Sequence, residues 1–575
     1  MRTTAEAHAR SETEAGTEAR VTARTGGGAE PDADVVVAGG GPTGLMLAAE
    51  LALAGVRVRV LERRPSRQRD SRALTLHPRS LEVLDLRGIA DRFLARGRTV
   101  PTGHFAGLGT RLDFSALDSR HGRTLLLAQT HTEELLEERA RELGAEVARG
   151  HEVTAVRPTG DGAAVEVSAR GTAGAYTLRA AYVVGCDGGR STVREAAGIG
   201  FPGTDETLSG MLGDFARTDP DALAAAAGTD VLAVPLGGGV TRFVLVDAER
   251  MRVSSREPVT EEEFRAALRR TAGTTFGVGE PRWLSRFGNA TRLAATYRAG
   301  RVLVAGDAAH VHFPAAGQGL NAGLQDAANL GWKLAAEVAG WAPPGLLDSY
   351  DAERRPVGEE LTANTRAQTL LFELTRMPAY REAAAALRGV LDGLLRLPEA
   401  NRHLAATVSG LGTAYPPGDG PGAHPLTGTR VPDVALTTAD GTATRVHGLL
   451  REGRFALLRL AADGEQGGER DGDSGRDSGG DVGGGRVRAV TATGYEANPR
   501  LDGVTELLVR PDGHVAWATG QPAGPSRTAA RAQALASWTG TGTGNGVGNG
   551  AGTGSALGAG SGTDGAVPGA VPAAG

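Results

Sequence analysis

The stretch ADVVVAGGGPTGLMLAAELALAGVRVRVLE, Ala33 to Glu62, decides the fold. Ala33–Ala38 is a β-branched run, Thr43–Ala54 is an apolar helix rich in Ala and Leu, and Val56–Leu61 alternates valine with arginine. Strand, turn, helix and strand in that order make a βαβ unit and imply a parallel sheet. The turn is Gly39-Gly40-Gly41-Pro42-Thr43-Gly44, a GxGxxG. Gly39 permits the tight turn, Gly41 lets backbone approach a pyrophosphate, and Gly44 allows close helix–strand packing, with Pro42 and Thr43 opening the helix towards the phosphates. Glu62 ends the second strand, where an acid can accept hydrogen bonds from a ribose. This is a Rossmann-like dinucleotide site, but GxGxxG alone does not separate a flavin from a nicotinamide.

Working outward, residues 1–33 mix charge with a Gly run and show no apolar period, so they are expected to be a disordered tail. More α/β structure follows to residue 200: a helix at Thr132–Leu143, strands around Val153–Val156 and Val165–Val167, and a short strand Tyr182–Gly185. From 201 to 284 strand-like runs (Val231–Val234, Thr241–Val246) and one helix, Glu261–Thr271, suggest an inserted sheet-rich domain. The first style resumes over 285–414, with a strand at Arg301–Ala305, a helix from about Leu324 to Ala339, and further helical segments to about Ala405. A Pro/Gly linker, Tyr415–His424, leads into a last domain, 415–538, with strands at Phe455–Leu460, Val487–Thr491 and Thr505–Val509. Within it, Asp463–Gly485 reads as a mobile loop, and 539–575 as a disordered Gly-rich tail.

Composition narrows the chemistry. A net charge of −5 gives no electrostatic footprint for nucleic acid. No run is long and apolar enough to cross a bilayer, and the N-terminus lacks the apolar core of a secretory signal, so no membrane is expected. The single cysteine, Cys186, excludes an intramolecular disulfide and a multi-thiolate metal site. Cytoplasmic localisation fits best. His310 and His312 have no third ligand at metal spacing, so no metal is expected, and both read as pocket packing.

Two later motifs carry a resemblance. Gly185-Cys186-Asp187-Gly188-Gly189-Arg190-Ser191-Thr192-Val193-Arg194 looks like the "DG" motif of class A FAD-dependent aromatic hydroxylases, and Arg301-Val302-Leu303-Val304-Ala305-Gly306-Asp307-Ala308-Ala309-His310 looks like their "GD" motif. With GxGxxG, all three stand in the family's order. The resemblance, to the p-hydroxybenzoate hydroxylase fold, extends through Ser71-Arg72-Ala73, Ala128-Gln129 and Pro314-Ala315-Ala316-Gly317-Gln318-Gly319-Leu320-Asn321. The segments Gly306–Trp341 and Leu346–Arg355 most resemble actinobacterial aromatic polyketide hydroxylases and rifampicin monooxygenases.

The resemblance implies an α/β chain (α+β overall): a Rossmann-like FAD-binding domain, an inserted substrate domain and a C-terminal thioredoxin-like domain. With no cysteine near Phe455–Leu460, that last domain can do no dithiol chemistry and is expected to be structural or dimer-forming, so the protein is expected to be a monomer or homodimer. By analogy, Asp187 helps hold the cofactors, Asp307 and Gly306 meet the ribityl or ribose hydroxyls of FAD, and Arg63 and Arg72 meet its adenosine and phosphate end. Gln129 would meet a phosphate or the flavin, and Val153 the adenine through its backbone. Pro314, Gly317, Gln318, Gly319, Leu320 and Asn321 would flank the isoalloxazine, in a Gly-rich turn opening the Leu324 helix.

The implied activity is hydroxylation of a large phenolic polycycle with dioxygen and NADPH, NADH being the less expected reductant. Reduced flavin activates the oxygen, and the cofactor supplies that chemistry. No catalytic base can be named from the sequence. A rifamycin-type substrate is the alternative, then a reductase or dehydrogenase of the same fold, or a non-catalytic binding protein. Halogenation is disfavoured because the tryptophans never take a Trp-x-Trp-x-Ile-Pro spacing.

Overall fold

The computed structural model describes residues 31–416, 423–460 and 481–541. Most of the two expected tails, the centre of the Pro/Gly linker and most of the Asp463–Gly485 loop lie outside those residues. At their edges three expectations are corrected. Asp481–Val482 pairs as a strand with Val487 and Arg488, so the last part of the expected loop is ordered by the sheet beside it. Tyr415, placed in the linker, is buried, because its ring lies against His514. A helix at Pro525–Thr539, unforeseen in the sequence, reaches the start of the Gly-rich tail.

The central sheet runs in the order Arg298–Ala299, Val302–Val304, Gly174–Gly185, Ala33–Ala38, Val58–Glu62, Glu146–Arg149. Ala33–Ala38 lies parallel to both its neighbours, in register Val37 to Val184 and Val37 to Val60. Val35, Val36 and Val37 are all fully buried, as expected of a parallel strand covered on both faces. Glu152–Pro158 and Val165–Gly171 form an antiparallel extension on the first half of Gly174–Gly185. The GxGxxG helix is Pro42–Leu53, with proline in its first turn, where the missing N–H costs nothing. The long helix Gln318–Val338 packs on it and shares its core.

The inserted sheet has four antiparallel strands: Leu232–Gly237, Val240–Leu245, Ser209–Arg217 and Gly279–Gly288. Helix Glu261–Ala272 covers one face through Phe264, which packs against Phe215. Its local signals are strong: the Thr260 side chain accepts from the Glu263 N–H, three glutamates fill the first turn, Arg269 and Arg270 the last, and Gly273 closes it with φ 75°.

The C-terminal sheet runs Ala443–Arg445, Ala435–Thr438, Val487–Tyr495, Phe455–Leu460, Glu506–Val509, Val515–Thr519, with only the Phe455–Leu460/Val487–Tyr495 pair parallel. The turn expected at Asp512-Gly513 joins its last two strands. Three further helices, Ser349–Leu374, Arg381–Leu395 and Pro398–Ser409, share a small apolar cluster with Ala106, Leu108 and Phe114. Among the described residues no helix is long and apolar enough to cross a membrane.

Candidate functional site

The three glycine motifs meet at the ends of adjacent parallel strands. Gly39 sits at φ 102°, and a Cβ there would lie 2.3 Å from the Cys186 carbonyl oxygen. A Cβ on Gly44 would lie 2.0 Å from the Gly39 carbonyl oxygen, so both positions require glycine for contact, and Gly39 for conformation as well. Gly41 differs: nothing in the protein lies within 4 Å of where its Cβ would be. The space beside Gly41 at the helix N-terminus is open, as a pyrophosphate would need. Glu62, buried at the end of its strand, accepts from the N–H groups of Gly40 (2.8 Å) and Arg64 (2.9 Å), which fixes the carboxylate at the mouth of the turn.

The Gly306–His310 segment is pressed onto the same helix. Ala305 N–H donates to the Gly185 carbonyl at 3.0 Å, and Gly306 has φ 60°, with Thr43 Oγ1 2.6 Å from where a Cβ would lie. The same Thr43 oxygen stands 2.2 Å from a Cβ built on Gly323, on the long helix. Asp307 is exposed to the cleft yet ringed by protein; that partial desolvation raises its carboxyl above the ordinary value, with His310 and Arg72 pulling it down. Asp187 is raised in the same way by burial, against hydrogen bonds from Ser191 and the Val193 N–H, and its Oδ1 is buried with no partner. Arg194, quoted only as the end of the second motif, ties that motif to the third: its guanidinium donates to the carbonyls of Gly189 and Ala308, both at 3.1 Å.

The remaining expected residues fall into two groups along the cleft. Ala73 joins Gln129 through a 3.0 Å backbone bond, and the adjoining Arg72 reaches Ser285 and the Arg286 carbonyl. Val153 lies near Glu62, whose carbonyl accepts from the His151 N–H, and Arg63 is exposed. At the other end the turn is Pro314–Gly317 and the long helix begins at Gln318, six residues before the expected Leu324. Gln318, Gly319, Leu320 and Asn321 are therefore helical, and Gly319 and Gly323 are there because His312 and Thr43 approach closely. Asn321 is spent on the protein: its Oδ1 accepts from the His77 N–H, and its Nδ2 donates to the carbonyls of Thr75 and Gly317.

One histidine that the sequence reading passed over, His77, stands at this end. His77 Nε2 donates to the Ala316 carbonyl at 2.7 Å, which holds the unusual Ala316 (φ 54°) in place. Burial drives His77, His312 and His514 each down to about 4, against opposing pulls from the Ala316 carbonyl, the Phe313 carbonyl and Asp512 respectively. In the unfolded chain they titrate near 6.5. Between those values the unfolded chain binds protons that the folded chain does not, so stability is expected to fall as pH drops from about 6.5 to about 4. Denaturant unfolding across that range checks this, and His77→Gln should flatten the slope; a flat wild-type profile would contradict it.

Burial, with Asp187 and Asp326 nearby, pushes the Cys186 thiol well up, so it packs beside Gly44 as a thiol. His310 is bonded to Asp326 rather than to a metal partner. Among the described residues, Asp85, Asp433 and His447 have ligand-like spacing. Arg120 and Arg445 already neutralise Asp433, which makes this an ion cluster between domains.

A parallel sheet with an open glycine cradle, an orphaned Asp187 oxygen and a cleft-facing Asp307 defines a dinucleotide-binding flavoprotein site, and these residues fit FAD. Residues 32–365 match the family described as FAD binding domain, and 424–542 that described as aromatic-ring hydroxylase, C-terminal. The chain is 45% identical over 519 residues to a 12-dehydrotetracycline 5-monooxygenase/anhydrotetracycline 6-monooxygenase of Streptomyces rimosus, covering 88% of this chain and 98% of that one. It is 45% identical over 497 residues to a rifampicin monooxygenase of Streptomyces venezuelae, covering 84% and 95%. The solved anhydrotetracycline hydroxylase of Streptomyces rimosus superposes with a TM-score of 0.76 at 44% identity, over 89% of this chain and all of the other. The protein belongs to the FAD-binding aromatic-ring hydroxylase family and is an FAD-dependent aromatic compound monooxygenase.

Proposed function

We propose that the protein hydroxylates a large phenolic polycycle of aromatic polyketide type, using NADPH and dioxygen. The observation that carries this reading is an apolar cluster packed beside the Pro314–Gly317 turn. Phe287 from the inserted sheet packs on Phe313 at 5.7 Å, and Phe313 on Phe372 of helix Ser349–Leu374 at 6.1 Å, with Leu212 and Ala315 in the same cluster. The rings are tilted 55° and 50° to one another and Phe287 and Phe313 are buried, so they form firm apolar backing, contributed by three separate elements, for a large aromatic ligand. The tetracycline-type relatives support the same class. A rifamycin-type substrate is the second reading, favoured by the rifampicin monooxygenase at equal identity.

When bound, FAD supplies reduction by the nicotinamide and activation of dioxygen. In this reading Gly39, Gly41, Pro42, Thr43 and Gly44 hold the pyrophosphate, and Glu62, Arg63 and Val153 the adenosine end. Arg72, Gln129 and Asp187 line the middle of the cleft, and Gly306 and Asp307 take the sugar or ribityl hydroxyls. The Pro314–Gly317 turn and the first helical residues, Gln318 to Asn321, offer uncapped N–H groups to the flavin ring. The chain orients the substrate and keeps water out; no side chain is assigned as a base.

The division at residues 34–200, 201–284, 285–414 and 415–538 is part of this reading, as are a cytoplasmic location and a monomeric or dimeric state. So is a thioredoxin-like C-terminal fold, supported by the central parallel pair flanked by an antiparallel hairpin and helix Pro525–Thr539. The test is ligand-stimulated NADPH oxidation over a panel of tetracyclic and angular polyketide phenols, a rifamycin and simple phenols. Stimulation by the polycycles is expected; stimulation by the rifamycin alone would favour the second reading, and by simple phenols alone would sink both.

A further inference from the structure

Asp326, on the third turn of helix Gln318–Val338, is 1% exposed, and both of its oxygens are engaged. Its Oδ2 accepts from the Gly306 N–H at 3.1 Å and from His310 Nε2 at 2.8 Å. One carboxylate oxygen thus grips both ends of the segment that carries Asp307. Its Oδ1 accepts from Arg354 Nε at 2.7 Å. Burial would raise Asp326, but Arg354 and His310 hold it down to about 2, so it is a carboxylate at neutral pH.

Arg354 reaches in two further directions. Nη2 donates to the Ala322 carbonyl at 3.3 Å, on the helix that carries Asp326, and Nη1 donates to the Tyr415 hydroxyl at 3.3 Å. Tyr415 belongs structurally to the C-terminal domain. Its N–H donates to the Gly428 carbonyl at 2.9 Å, its ring lies 4.2 Å from that of His514, and the Arg510 guanidinium stands 5.1 Å from it. A continuous buried series of hydrogen bonds therefore runs from the C-terminal domain to the Gly306 turn.

We propose that Asp326 and Arg354 are positioning residues for the Gly306–Asp307 turn, and that the C-terminal domain sets that pair through the Tyr415 hydroxyl. The domain without cysteines then acts on the cofactor site by geometry. The inference rests on the reading of Asp307 as an FAD-binding residue. It gives physical content to coupling between domains because every link is a named hydrogen bond.

The experiment measures FAD dissociation constants by flavin fluorescence, the visible circular dichroism of bound flavin, and the apoprotein melting temperature for full-length Asp326→Asn, Tyr415→Phe, their double variant and Asp307→Ala. Asp326→Asn is expected to weaken FAD about tenfold or more, as loss of a charge-assisted bond implies, and Tyr415→Phe roughly threefold, each with an altered flavin dichroism. Tyr415→Phe should do so with an apoprotein melting temperature near wild type. The double variant should lose less than the product of the two factors, because the second change acts through the first.

Wild-type affinity and dichroism in Tyr415→Phe, or fully multiplicative effects in the double variant, would overturn the proposal. If Asp326→Asn does not fold, Tyr415→Phe decides alone. Weak FAD binding in Asp307→Ala with normal Tyr415→Phe would overturn this inference and leave the site reading standing; normal Asp307→Ala would remove the site reading and this inference with it.

Discussion

Gly41→Val protein is expected to fold like wild type and to purify almost colourless. The backbone at Gly41 is extended, φ −80° and ψ −179°, which valine adopts without strain, and no protein atom lies within 4 Å of the new Cβ. The new Cβ therefore meets no protein atom, and the side chain grows from it into the space assigned to the pyrophosphate. An FAD affinity loss on the order of a hundredfold is expected, since the loop can no longer bring its N–H groups to the phosphates. Gly44→Ala makes the contrasting case. Its Cβ would meet the Gly39 carbonyl at 2.0 Å, and because that contact is backbone, both stability and FAD binding should suffer, the former by about 1–3 kcal/mol. Melting of the apoproteins and FAD titration separate the two. Tight FAD binding by Gly41→Val would show that the phosphates lie elsewhere.

Glu353→Ala is expected to be the most damaging single change to stability. Glu353 accepts from Lys333 Nζ at 2.7 Å, from Arg510 at 2.7 and 2.8 Å, and from Asn329 at 2.7 Å, all in a buried cluster joining the long helices to the C-terminal domain. Arg510 keeps Asp512, but Lys333, fully buried, loses its only salt-bridge carboxylate among the described residues. Breaking such a pair costs about 3–5 kcal/mol.

The pH dependence identifies the lysine. Burial already lowers Lys333 to about 8, against the pull of Glu353; without that pull its folded value drops further. The charged lysine is the penalised form, so between the pH at which Glu353 is fully ionised, about 4.5, and about 8 the deficit of Glu353→Ala should grow as pH falls and shrink as pH rises. Adding Lys333→Met should recover much of the loss. Urea unfolding at several pH values checks this, and a deficit independent of pH and unrelieved by Lys333→Met would contradict it.

The cofactor half of the molecule was legible because its signals are local. Strand, glycine turn and helix lie within thirty residues, and Gly39, Gly44, Asp187 and Asp307 fall where the motif spacing puts them. Strand Ser209–Arg217, central to the inserted sheet, is not legible in the sequence: seven successive residues are buried, so no period-two alternation appears, and its glycines read as turn. The first turns of the long helix are hidden in the sequence for a related reason. Gly319 and Gly323 looked like loop residues, whereas each permits a close approach by a residue distant in sequence.

The polar relay was harder still. Asp326, Asn329 and Lys333 recur at spacings of three and four on an otherwise apolar helix, a signal that one helical face is buried and polar. Their partners, Arg354, Glu353 and Arg510, come from elsewhere in the chain. Nothing in the sequence pairs them.

As an aromatic compound monooxygenase, this chain is expected to insert one atom of dioxygen into the ring of its substrate. Mass spectrometry of the product formed from a phenolic polycycle under isotopically heavy dioxygen, with FAD-loaded protein and NADPH, tests it directly. The product should be heavier by one labelled oxygen, with none formed under nitrogen. NADPH consumption across the whole panel with unlabelled or unchanged aromatic compounds would contradict it.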